Sequence, residues 1–259
     1  MNNLADMIWI ESRKAIRSRM PLWTALGSLF MPLGIAFLIF VSRNPAISQQ
    51  LGLVSAKADL LAYAGTDWPA YLGFLGEMVA AGGFLLFILV ISWVFGREFV
   101  DGTLKDMLAV PVQRSSILLA KFVVVAVWSA ALTMVSLAAG LAMGAIIGLP
   151  GGSIGVLLHG SAVMVIMGCL VIVVTLPFAL FASVSRGYLL PIGLAILTLM
   201  MTNLVALLGW GEYFPWAVPG LLAQGKSSLT PISYWIVLLT GLAGVVATHL
   251  WWKYADQNR

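Results

Sequence analysis

The stretch YLGFLGEMVAAGGFLLFILVISWV, Tyr71 to Val94, is 24 residues long and carries a single formal charge, Glu77. A helix of about twenty apolar residues spans a bilayer core. The run is too long for a buried strand, and it is apolar on every face. It is followed directly by FGREFVDGTLKDMLAVPVQR, Phe95 to Arg114, which holds six charges in twenty residues: Arg97, Glu98, Asp101, Lys105, Asp106 and Arg114. A second apolar run then begins at Ile117. The alternation of long apolar runs with short charged links decides the fold class.

Five further runs resemble the first. The six predicted spans are Leu22–Val41, Tyr71–Val94, Ile117–Gly148, Ile154–Ala182, Tyr188–Leu208 and Ile232–Trp252. The third and fourth exceed the minimum length, so they tilt, kink or project. The whole chain of 259 residues is 61% hydrophobic and 9% charged, far too few charges to cover a soluble surface. A transmembrane β-barrel is disfavoured, because its strands are about ten residues long and alternate in polarity. The fold class is therefore an all-α membrane protein, and residues 1–259 form one transmembrane domain.

Positive residues set the expected orientation. Eleven of the fourteen Lys and Arg residues lie on one side of a six-span layout, with only Arg43, Lys57 and Lys226 on the other. Both termini and the Phe95–Arg114 link are thus expected in the cytoplasm, with the chain in a plasma (bacterial inner) membrane. Basic residues scattered along membrane edges do not form a nucleic-acid patch. The single Cys169 excludes an intrachain disulfide and reads as a buried, inert thiol. No signal-peptide cleavage site follows the N-terminus.

Residues 1–20 read as an amphipathic helix in the interface, with Leu4, Met7, Ile8, Ile10 and Ile16 apolar and Glu11, Arg13, Lys14 and Arg17 polar; the alternative is a basic flank that only sets topology. In the charged link, Arg97 and Asp101 are four apart, as are Asp101 and Lys105, a spacing that pairs charges on one helical face. Pro111 ends such a helix. A short charged helix beneath the membrane and a plain solvated hairpin are equally compatible with the composition.

Other features are individually weaker. Gly140, Gly144 and Gly148, with Ser136, recur at four-residue spacing and admit close helix packing, within the chain or at a dimer seam. Pro177 and Pro191 are expected to kink spans four and five. Glu77 lies either within the outer part of the second span or at headgroup level. Asn203 is expected to hydrogen-bond a neighbouring helix. His159 and His249 have no carboxylate near them in sequence, so metal binding is not expected. Tyr213, Phe214 and Trp216 lie in an aromatic, proline-bearing segment, residues 209–230. Such aromatics usually form an interfacial belt.

The segment GREFVDGTLKDMLAVPVQRSSILLAK resembles the cytoplasmic signature of the ABC-type-two exporter permeases. Gly96, Arg97, Glu98, Phe99, Gly102, Thr103, Leu104, Lys105, Pro111, Val112, Arg114 and Lys121 match that pattern in place. Pro177, the turn Ser185–Gly187 and YFPW at Tyr213–Trp216 are similar to the bacitracin-export and lantibiotic-immunity branch. The resemblance implies a six-helix permease with an N-terminal interfacial helix. It implies that residues 95–116 form a coupling helix that docks on a separate ATPase subunit, with Arg97, Glu98 and Asp101 as polar contacts. Phe99 and Leu104 would fill an apolar groove or anchor the helix against the bilayer, and Thr103, after Gly102, would cap the next turn, with Lys105 alongside. It implies that residues 209–230 form an extracellular re-entrant element over the exit of a substrate path, for which Glu77, Asn203, Tyr213, Phe214 and Trp216 are candidates.

The implied partners are ABC ATPase subunits, a second permease copy or a sister permease, and membrane lipid. ATP and Mg would be held by the ATPase, with no cofactor in this chain. The implied cargo is amphipathic, such as a peptide antibiotic. The competing readings are an ion-coupled secondary transporter, whose spans should hold coupling carboxylates, and an intramembrane enzyme, for which HExxH and clustered His or Asp are absent from the sequence.

Overall fold

The computed structural model describes residues 3–43, 67–103, 112–225 and 229–254. Among them every regular element is helical, and six helical stretches are long and apolar enough to cross a membrane. α1 (Asn3–Arg17) is a short amphipathic helix. α2 (Met20–Arg43) is span one. Span two is α3 (Trp68–Met78), a π-helical segment (Val79–Gly83) and α4 (Phe84–Val100). α5 (Arg114–Ile147) is span three; α6 (Ile154–Thr175) and α7 (Phe178–Ser185) make span four. α8 (Leu189–Leu207) is span five, and α10 (Pro231–Tyr254) is span six. Between these last two lie a 3-10 turn (Gly211–Tyr213) and α9 (Val218–Ala223).

Six spans match the reading of the sequence. Two of their limits differ in a way that matters. Span two continues without a break through Arg97, Glu98 and Phe99 to Val100, so these residues are its last turn and not the start of a separate helix. Gly102 ends it in the left-handed region (φ 69°), where glycine carries no Cβ penalty. Leu104, Lys105 and Pro111 lie outside the described residues. Pro191 does not kink span five. It occupies the first turn of α8, where its missing N–H would have had no helical partner.

Span two is the centre of the bundle, 61% buried, and span five is at its rim, 11% buried. One apolar core joins Phe87, Ile91, Phe95, Val125, Val174 and Ala182; a second, around Trp68, Tyr71, Leu75, Met164 and Met167, fills the opposite end. The end that carries α1 and Tyr254 is called the near end below, and the other the far end. Outward faces are apolar as well, as at Phe30, Phe37, Leu197 and Leu239, which suits a lipid solvent. Cys169 belongs to this outward set; it is exposed, not buried, because its neighbours Gly168 and Leu170 take the inward positions of α6.

Within lipid a backbone group without a partner is costly, and side chains donate to carbonyls beside the prolines of two spans. Pro32 inside α2 cannot donate to Ser28 O, and the Ser136 hydroxyl of α5 donates to that carbonyl at 3.2 Å. Pro177 separates α6 from α7, and the Trp216 indole N–H donates to Val174 O in the break at 2.9 Å.

The glycines on α5 pack within the chain. A side chain on Gly140 would run into Leu75, and the Tyr71 hydroxyl donates to Gly140 O at 2.9 Å. A Cβ on Gly144 would lie 2.5 Å from the Trp68 ring. These two positions are therefore filled by span two and are not a dimer seam. Gly148 has a different task. It is the left-handed cap of α5, with φ 66°. Elsewhere, a Cβ on Gly244 of α10 would lie 2.5 Å from the Pro177 backbone. Because backbone cannot step aside, Gly244→Ala is expected to lower stability by about 1–3 kcal/mol. Gly34→Ala, where nothing lies within 4 Å, should leave it unchanged or raise it by up to about 1 kcal/mol. Thermal unfolding of the two purified variants checks the contrast.

Candidate functional site

Lys121 lies seven residues into α5, about 10 Å along the helix, in the run ILLAKFVVV. Its side chain is 0% exposed. An ammonium at such a position must be paired. It donates to Glu98 Oε1 at 2.8 Å, to Glu11 Oε2 at 3.2 Å and to the Val94 carbonyl at 2.8 Å. Lys14 closes the ring, at 2.7 Å from Glu11 Oε1 and 3.3 Å from Glu98 Oε1. Two carboxylates and two ammoniums thus alternate around a closed quartet with zero formal charge.

Three elements meet here. Glu11 and Lys14 come from one face of α1, three residues apart, with Met7 and Ala15 buried beside them. Glu98 comes from the last turn of α4. Lys121 comes from the first third of α5. α1 therefore faces inward with charges as well as apolar groups, while Trp9 and Ile16 on its other faces are exposed as in an interfacial helix. Burial pushes the Lys14 ammonium towards a lower pKa, but Glu11 and Glu98 outweigh it and hold the value above the ordinary 10.5. A cation whose folded value is raised stabilises fully below its unfolded value, so this contribution persists through neutral pH and is lost as pH rises above that range.

This arrangement corrects one expected role. Glu98 does not face solvent as a docking contact; it is 3% exposed and held by two lysines. The exposed polar groups of the stem are Asp101 and Thr103. Arg97 pairs with Asp101 at 3.0 Å and lies over the Trp93 ring at 4.9 Å. Phe99 packs within the chain, its ring edge-on to that of Trp252 at 6.3 Å. Gly96 admits the turn between spans four and five; a Cβ there would lie 3.1 Å from Gly187 O and from the Tyr188 ring.

Trp252 is a second junction that sequence reading missed. It is 1% exposed; its indole donates to the Ser183 hydroxyl at 3.0 Å, and its carbonyl accepts from Arg114 at 3.0 Å. It ties α4, α5, α7 and α10 together below the quartet. Neither junction was spelled out by spacing, because every partner is remote in sequence. The one available signal was a lysine inside an apolar helix.

At the far end, Glu77 lies nine residues into span two, about 14 Å along its axis, inside the helix. Glu77, Asn203 and Trp216 line one cavity. Tyr213 and Phe214 do not. Tyr213 is exposed, with its hydroxyl pKa raised by its hydrogen bond to Glu212, and the Phe214 ring contacts Trp216 at 5.2 Å. Asn203 makes no bond to a neighbouring helix; its Nδ2 donates to Leu199 O in its own helix at 2.9 Å, since the face it occupies is exposed. His159 and His249 are exposed on separate helices. Among the described residues no three His, Cys, Asp or Glu gather as a metal site.

Comparison with known proteins gives two results. The family model for "ABC-2 family transporter protein" matches residues 7–202. The bacitracin transport permease protein BCRB of Bacillus licheniformis is 28% identical over 177 residues, which cover 67% of this chain and 85% of that protein. The matched range contains all four residues of the quartet.

Removing one member of a buried pair strands the other charge. Lys121→Met is expected to lower unfolding stability by about 3–5 kcal/mol, and the double variant Lys121→Met, Glu98→Met to recover most of that loss. Arg97→Gln, which breaks a partly exposed pair, should cost less than about 1 kcal/mol. Denaturation of the three variants in one detergent checks the order.

Proposed function

Because the chain belongs to the ABC-2 transporter family, and is a permease and not an enzyme, we propose that it is the membrane subunit of an ATP-driven exporter whose motor is a separate ATPase. The near end, with its excess of Lys and Arg, faces the cytoplasm. The ATPase docks on residues 95–116, where Asp101 and Thr103 provide exposed polar groups. ATP and Mg are held by that partner, and no cofactor is held by this chain. Two permease subunits, two copies or a copy and a sister chain, pair around the substrate path in the plasma membrane. The cargo is amphipathic; the likeness to a bacitracin transport permease favours a peptide antibiotic.

The observation that carries this reading is the quartet. A motor can move membrane helices only through a link stiff enough to carry displacement. The stem Arg97–Val100 is continuous with span two, and Glu98 locks it to α1 and α5 by direct ion pairs. Trp252 joins the same stem to span six through Phe99. A push on the docked loop therefore reaches α1 and spans two, three and six together. Glu98 acts within this link and not at the motor surface.

Purification of tagged protein from its native host should bring down an ATPase subunit. Asp101→Arg should weaken that association about tenfold, equivalent to about 1.4 kcal/mol, while loss of the partly exposed pair with Arg97 costs no more than about 1 kcal/mol of unfolding stability. Wild-type protein that brings down no ATPase while keeping its fold would overturn the docking role.

A further inference from the structure

The outward side of α1 takes no part in the quartet, and its chemistry changes around the helix. Met7, Glu11 and Ala15, four apart, share the buried side. Ile10 and Lys14 border a cavity of about 350 Å³ that Asp101 and Thr103 of the stem also line, so this flank faces away from the bilayer. At about 100° per residue, Trp9 and Ile16 fall on the flank turned from that cavity, 59% and 76% exposed. Arg13 and Arg17 fall between the two flanks, and both are exposed. On a helix that lies in the interface, that is the headgroup level.

The corner after α1 adds a third guanidinium. The Ser18 hydroxyl donates to Ala15 O at 2.7 Å and accepts from the Met20 N–H at 3.3 Å, which fixes the turn into α2. Arg19 is exposed at that corner, and its carbonyl accepts from the Trp23 N–H at 3.2 Å. Leu22 and Trp23 are exposed apolar groups at the start of span one.

No acid answers these three arginines. Among the described residues none of them enters an ion pair. Arg13 rests on the Trp9 ring, with Cζ 4.6 Å from the centroid. Glu11 is turned inward to Lys14 and Lys121, and Asp6 lies seven residues before Arg13, about 10 Å along the axis. Like charges four apart, as on Arg13 and Arg17, repel unless an anion lies between them. Guanidinium forks match phosphate oxygens. At headgroup depth, beside exposed Trp9, Leu22 and Trp23, the matching anion is a phospholipid with net negative charge.

We propose that Arg13, Arg17 and Arg19 form a binding site for the headgroup of an acidic phospholipid, whose acyl chains lie against Leu22 and Trp23. α1 also carries Glu11 and Lys14, so a lipid bound here holds the helix on which the quartet depends. The inference goes beyond the exporter reading and needs no motor; it needs only a near end that meets a membrane.

The test is titration of the purified chain in a neutral maltoside detergent with dioleoylphosphatidylglycerol, bound lipid being counted by native mass spectrometry. Wild type should show a saturable site that holds this lipid at least about tenfold more tightly than dioleoylphosphatidylcholine. Arg13→Gln, Arg17→Gln and Arg19→Gln should each weaken it about fivefold, and the triple variant about a hundredfold. The triple Arg→Lys variant should keep most of the binding, and Lys253→Gln, a basic residue at the same end outside the site, should keep all of it. Phosphatidylglycerol should raise the thermal midpoint of wild type and not that of the triple Gln variant. Equal retention of the two lipids by wild type, or single and triple Gln variants that bind phosphatidylglycerol as wild type does, overturns the site. Displacement of the lipid by glycerol 3-phosphate at matched concentration would overturn the lipid assignment in favour of a small anion. A motor that co-purifies with a protein lacking the lipid preference would sink this inference alone; a lipid site in a protein that recruits no motor would sink the exporter reading alone.

Discussion

A lysine ammonium two turns inside an apolar helix must be neutralised where it stands, and Lys121 is met there by Glu11 and Glu98. That requirement fixes the near end of the molecule. It forces α1 to lie back against α5 and not only along the bilayer surface. It draws the last turn of span two inward, and through Lys14 it closes a ring whose charges cancel. The geometry serves function through its cost. Buried charges tolerate little displacement, because separating them exposes each to an uncompensated environment. The link between a charged loop and three membrane elements is therefore stiff.

The same logic governs the uncharged part of the bundle. Lipid offers no hydrogen bonds, so carbonyls beside a proline gain from donors elsewhere in the chain. Ser136 serves Ser28, and Trp216 serves Val174. The second of these bonds draws the aromatic segment between spans five and six down against the Pro177 break. The same residue, Trp216, lines two cavities at this point. Close packing of Gly244 against Pro177 holds span six at the same point.

Much of this was legible in the sequence. Long apolar runs announce the six spans, because span length and composition are local properties. The resemblance drew attention to residues 95–116 and to Lys121. The role of Glu98 was misread because spacing shows which residues share a helical face, not which face turns inward. Nothing within reach of Glu98 along the chain announces Lys121 or Glu11. Asn203 and Cys169 were misjudged for a related reason: in a membrane protein an apolar neighbourhood in sequence does not imply burial, since the outward face is apolar too. Glu77, Asn203 and Trp216 were single candidates from three segments, and only the fold brings them to one cavity. Leu104 and Lys105 lie beyond the described residues.

The most direct test of the central claim is the ATP turnover of the motor with and without the permease, for wild type and for the Glu98→Met, Lys121→Met double variant. That variant removes one carboxylate and one ammonium together and leaves Glu11 paired with Lys14. The account predicts that wild-type permease changes the turnover of the bound motor. It predicts that the double variant still binds the motor but leaves turnover at the rate of the isolated ATPase. A double variant that binds the motor and modulates it as wild type does would contradict the account, and the quartet would then be a structural clamp with no part in transmission.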